Sequence, residues 1–76
     1  MFIKSKRDLR EYIRPMFRDL DPQSYIIPIE DLIDAVVDDL FKELQEKYNF
    51  SLGDNIEGFD IPGKLFWSLL KPYEES

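Results

Sequence analysis

Cysteine and histidine are both absent from this 76-residue chain. Without cysteine there is no disulfide framework, no thiolate nucleophile and no cysteine-ligated zinc. Without histidine, the commonest general base and the commonest transition-metal ligand are missing, and the usual serine and cysteine hydrolase triads are excluded. Glycine is scarce, with three residues, and tryptophan occurs once. No apolar run approaches the roughly 20 residues that a membrane-spanning helix needs, so no membrane partner is expected. The opening Met1-Phe2-Ile3-Lys4 leads straight into charge instead of a signal-peptide core, which makes a cytoplasmic location the expectation.

Apolar material, by contrast, is plentiful. Hydrophobic residues make up 43% of the chain and aromatics 14%, enough for a packed core and against disorder. A length of 76 residues implies one domain spanning 1–76. A domain this small buries only about 60% of its unfolded surface, so its stability margin is thin.

The apolar spacing predicts an all-α fold. Leu9, Tyr12, Ile13, Met16, Phe17 and Leu20 recur at helical intervals and predict a first helix over 6–19. Ser5 followed by Asp8 resembles a capping box. Pro15 lies inside this helix, where it clashes with the carbonyl four residues back. A kink there is expected, because the stripe runs on past it; a break would give two helices. Asp21-Pro22-Gln23-Ser24 reads as a turn, and Tyr25-Ile26-Ile27 as an extended linker held by Pro28.

Ile29, Leu32, Ile33, Val36, Leu40 and Leu44, widened by Val37, Phe41 and Tyr48, define a helix over 29–47. Asp38–Lys42 and Glu43–Lys47 have the spacing of supporting ion pairs, and Asn49 suits a left-handed cap. Phe50 to Phe59 reads as a loop pinned by Leu52 and Ile56. Asp60 is placed to cap a last helix over 61–70, with apolar positions Ile61, Leu65, Phe66, Leu69 and Leu70. Pro72 ends it, leaving a tail over 72–76. The expected architecture is a small three-helix orthogonal bundle, four helices if the first splits at Pro15, with a long loop before the last short helix.

The net charge of −6 argues against general affinity for phosphate backbones, but it hides an asymmetry. Residues 1–20 hold six cations against three acids, a net of +3. Residues 21–76 hold four lysines against thirteen acids, a net of −9. Segregation of this kind bears on partners. Arg7, Arg10, Arg14 and Arg18 share one sector of the first helix. Like charges at i,i+4 cost helix stability, and guanidinium groups suit bidentate contacts to carboxylate or phosphate. The alternative is a solvated face neutralised within the chain by Glu11 and the acids of the second helix. Asp31, Asp34 and Asp38, flanked by Glu30, Asp39, Glu43 and Glu46, form an acidic stripe that either docks on a basic surface or serves solubility. Trp67 lies off the apolar face of the last helix, as an exposed anchor or as cover for the core edge.

Other chemistries fit poorly. From Asp54, the Gly53–Asp60 segment places Ile56 and Gly58 at positions 3 and 5 of a calcium loop, so the ligand register fails and no metal is expected. The Asp-Ser-Leu attachment sequence of acyl carrier proteins is absent: Ser51-Leu52 follows Phe50, and Ser68-Leu69 follows Trp67. No catalytic residue, cofactor or metal ligand is assigned. The sequence points to a non-enzymatic protein–protein interaction module, an adaptor, inhibitor or self-associating subunit. Its candidate contact residues are Arg7, Arg10, Arg14, Arg18, Asp31, Asp34, Asp38 and Trp67. The expected partner is another protein, or a second copy through the opposed stripes. Nucleic-acid binding through the arginines is the alternative; helix 2 is too acidic to serve as a groove-reading helix.

Overall fold

A computed structural model describes residues 1–75. Its helices are α1 (Lys6–Ile13), α2 (Ile29–Lys47) and α3 (Gly63–Leu70), supplemented by single 3₁₀ turns at Arg14–Phe17, Pro22–Ser24 and Lys71–Tyr73. The fold is all-α, a three-helix bundle with about 60% helix. Among the described residues, extended pairing is confined to two isolated bridges.

The first segment departs from its expected course. The α-helix stops at Ile13, six residues short of 19, and the chain tightens into the 3₁₀ turn instead of kinking. Pro15 explains this: an α-helical continuation would need the N–H it lacks. The tighter turn closes instead with Arg18 N–H on the Pro15 carbonyl at 3.2 Å. The apolar stripe survives the change, with Leu9, Ile13 and Phe17 all buried. The capping box does not form. Ser5 occupies the cap position without a side-chain bond, and Asp8 accepts from the Lys4 N–H at 2.8 Å, one residue too early.

The central helix has the limits its pattern dictates. Leu32, Ile33, Val36, Val37, Leu40, Phe41 and Leu44 are buried. Asn49 takes a left-handed conformation with φ 54°, and the chain folds back so that Phe50 N–H bonds the Leu44 carbonyl at 3.0 Å. Glu43–Lys47 forms at 3.1 Å, whereas Asp38 pairs with Lys6 and leaves Lys42 aside.

The loop after α2 is held from the N-terminal side of the chain. Ile3 N–H donates to the Asp54 carbonyl at 2.9 Å, Gly53 N–H to the Ile3 carbonyl at 2.6 Å, and Ile56 N–H to the Met1 carbonyl at 2.9 Å. Ile3 and Ile56 are fully buried, but Leu52 is 55% exposed and pins nothing. Tyr12 donates its hydroxyl to the Phe59 carbonyl at 2.8 Å, and Phe59 packs edge-on against Tyr48. The last helix begins at Gly63, behind Pro62 instead of an Asp60 cap. Nor is the end of the chain a free tail. After the Lys71–Tyr73 turn, Tyr25 and Glu74 pair antiparallel: Ile26 N–H bonds the Tyr73 carbonyl and Glu75 N–H the Ser24 carbonyl, both at 2.8 Å. The tail's last residue, Ser76, falls outside the described residues.

Tyr25, within this strap, turns its side chain into the core and is buried. Burial, and then the nearby charge of Glu74, push the Tyr25 phenol above its usual range. A phenol whose folded pKa is raised contributes fully below its unfolded pKa of about 10 and loses that contribution as pH rises through the folded value. Tyr25→Phe is therefore expected to change stability little at neutral pH and to be more stable than the parent above about pH 10. Urea unfolding of both proteins at the two pH values measures the difference; parallel alkaline losses would contradict it.

Candidate interaction surface

Two helices of opposite charge lie side by side, and the structure pairs them within the chain. Lys6 Nζ lies 2.9 Å from Asp38 Oδ1. Arg10 donates from Nε to Asp34 Oδ1 at 2.6 Å and from its terminal nitrogen to Glu30. Arg14 donates to the other Glu30 oxygen at 2.6 Å. The arginine side of α1 and the acidic side of α2 thus meet at the rim between the helices. Lys6 also lies over the Phe41 ring, 5.9 Å from its centroid.

Arg10 is the centre of this ladder. Its side chain is 22% exposed against 46% for Arg14, and bonds first to Asp34, then to Glu30, hold its guanidinium above the usual range. The like-charge spacing along α1 is compensated by carboxylates across the interface. Exposed ion pairs are individually weak, but Arg10 bridges two acceptors, and its loss leaves two carboxylates facing each other. Arg10→Met, which keeps an unbranched apolar stem, is expected to lower the thermal midpoint at low ionic strength. The loss should shrink near 1 M salt, where screening acts within about 3 Å. An unchanged midpoint at low salt would show the ladder contributing nothing.

The candidate contact residues therefore divide into two groups. Arg10, Arg14, Asp34 and Asp38 are engaged with one another or with Lys6 and Glu30. Arg7, Arg18 and Asp31 stay exposed and, among the described residues, take part in no ion pair. Sequence reasoning passed over Lys6 and treated Glu30 as a flanking residue. The signal was present in the spacing: Lys6-Arg10-Arg14 and Glu30-Asp34-Asp38 are matching four-residue series of opposite sign.

Trp67 stands apart from this rim. Phe66, Leu69 and Leu70 turn α3 into the core, and Phe66 meets Phe17 edge-to-face at 5.3 Å. Trp67 is left 58% exposed. Lys64 and Lys71, three residues before and four after it, share its side of the helix. Shallow grooves open on both sides of the indole. One is lined by Lys64, Trp67, Ser68, Lys71 and Glu74. The other runs from Trp67 over Leu20 and Tyr25 and is edged by Asp19, Asp21, Glu74 and Glu75. None of these charged side chains forms an ion pair among the described residues.

Comparison with protein-family models, curated proteins and solved structures returns no match.

The remaining polar loop has local work. Asp54 accepts from Ser51 N–H at 2.8 Å, and Asn55 Oδ1 accepts from Glu57 N–H at 3.0 Å, so both groups hold the backbone of their own turn. Among the described residues no group of three potential metal ligands comes together, and no helix is long and apolar enough to cross a membrane.

Proposed function

We propose that this chain is a non-enzymatic protein–protein interaction module whose contact surface is centred on Trp67. The observation that carries the reading is a large aromatic side chain left exposed between two grooves, with charged neighbours that form no ion pair among the described residues. Tryptophan is enriched among interface hot spots, and the rim around such anchors is polar. The charged helix faces support the reading less, because much of their charge is already spent on internal pairs.

Nucleic-acid binding through the arginines loses support for the same reason. Arg10 and Arg14 would have to exchange Glu30 and Asp34 for phosphates, beside the acidic groups that now hold them. A chain of net charge −6 adds long-range repulsion.

A photo-crosslinking amino acid placed at position 68, which lines the groove beside the intact Trp67, and for comparison at position 39 on α2, tests the reading in the native host. A protein adduct at 68 that is missing at 39 is the expected outcome. The reading fails if no protein of any kind, this chain included, is captured at 68.

A further inference from the structure

We infer that the occupant of the Trp67 surface is a second copy of this chain, held in a two-fold dimer; this rests on the interaction reading above. The argument is the distribution of charge about the indole. On one side stand Lys64 and Lys71, and on the other Asp19, Asp21 and Glu75, with Glu74 bordering both. A surface that is basic on one side of an aromatic ridge and acidic on the other is complementary to itself. A two-fold axis lying in the contact plane, through Trp67 and perpendicular to the line joining the halves, lays each basic half on the partner's acidic half. The same operation sets the two indoles side by side at the centre, where anchors are most effective.

Two further observations agree. The cations and acids concerned have no ion pair within the chain among the described residues, so pairing across the axis breaks nothing. Leu20 and Tyr25 line the acidic groove beside the indole. Lys64 and Lys71 give this face a cationic half that a copy with a net charge of −6 can approach despite overall repulsion, which screening at physiological salt limits to about 8 Å.

Sedimentation of the full chain from about 10 μM to about 1 mM, the range of weak to moderate association, tests the dimer. Trp67 is the sole tryptophan, so its emission should shift to the blue as the dimer forms. Trp67→Ala is expected to weaken association at least tenfold. The charge variants are sharper. Lys64→Glu with Lys71→Glu makes both halves acidic, and Asp19→Lys with Glu75→Lys removes the excess negative charge of the acidic half, setting two lysines against Asp21 and Glu74; Asp21 is left intact because it caps the Gln23 N–H. The first variant should form no homodimer and the second a weaker one than the parent, whereas an equimolar mixture of the two should form a heterodimer in preference to either. Circular dichroism establishes that each variant is folded. A parent that stays monomeric at the highest concentration overturns the dimer, as does a mixture of folded variants that does not associate, or a dimer indifferent to Trp67→Ala. If the parent is monomeric but position 68 captures a different protein in the host, the second-copy assignment falls and the interaction reading stands. If the parent is monomeric and position 68 captures nothing, both fall.

Discussion

Ile56→Ala should cost about 2–5 kcal/mol of stability, while Leu52→Ala in the same loop should cost less than about 0.5 kcal/mol. Ile56 is fully buried and Leu52 is 55% exposed. Removing the Ile56 side chain leaves a cavity that its neighbours fill only in part, so the lost transfer energy and the cavity term add. The site has little freedom to collapse, because Ile56 N–H is bonded to the Met1 carbonyl and Ile3 is stitched to Asp54 and Gly53. Small domains sit near the lower end of the usual 5–15 kcal/mol range. A loss at the upper end of the estimate would leave a large unfolded fraction in water. Urea unfolding followed by helical circular dichroism measures both variants. Equal midpoints for the two would refute the assignment of Ile56 as the pin of this loop.

Phe17→Ala is expected to cost about 3–5 kcal/mol. Phe17 is the last buried residue of the segment that Pro15 diverts, and its ring meets Phe66 of α3 at an interplanar angle of 81°. The pair ties the end of the first helical segment to the last helix, two elements far apart in sequence. Edge-to-face pairs carry about 0.5–1.5 kcal/mol beyond the area they bury. A double-mutant cycle with Phe66 should return a coupling of that order. Should the single variants prove too unstable, Phe17→Leu and Phe66→Leu retain most of the volume and still remove the ring contact. Additive losses would show that the rings merely fill space.

What the sequence made legible follows from how local the determining physics is. The α2 limits were readable because nineteen residues of unbroken periodicity outvote any single position, and Asn49 supplies a local stop. The first helix was overextended because periodicity alone cannot distinguish an α-helix from a 3₁₀ turn over four residues, and Pro15 decided the matter. Ser5 and Asp60 have the chemistry of caps, yet neither side chain caps its helix. Asp8 serves Lys4, and Pro62 delays the last helix to Gly63. The strap joining residues 24–26 to 73–75 carries no local signal, since each half is too short to show a strand pattern.

The same distinction governs the candidate surface. The place of Trp67 off the apolar face of its helix could be read from the spacing, but not whether the indole covers the core edge or stands exposed, as it does. The grooves beside it could not, because Asp19, Asp21 and Tyr25 come beside the indole only in the folded chain, far from it in sequence. For the charged stripes, the pairing partners were readable from their matched spacing, but only once the two helices are known to be neighbours.

The ladder between α1 and α2 also carries alignment information. The acids Glu30, Asp34 and Asp38 are followed one turn later by Lys42. Sliding α1 one turn toward the end of α2 would set Lys6 against Lys42. Sliding it the other way would carry Arg14 beyond the first carboxylate of α2. A smooth apolar seam of leucine, isoleucine and valine tolerates such displacements far better than a row of signed charges does. The charge order therefore acts as a vernier, selecting one offset between two greasy cylinders that would otherwise accept several.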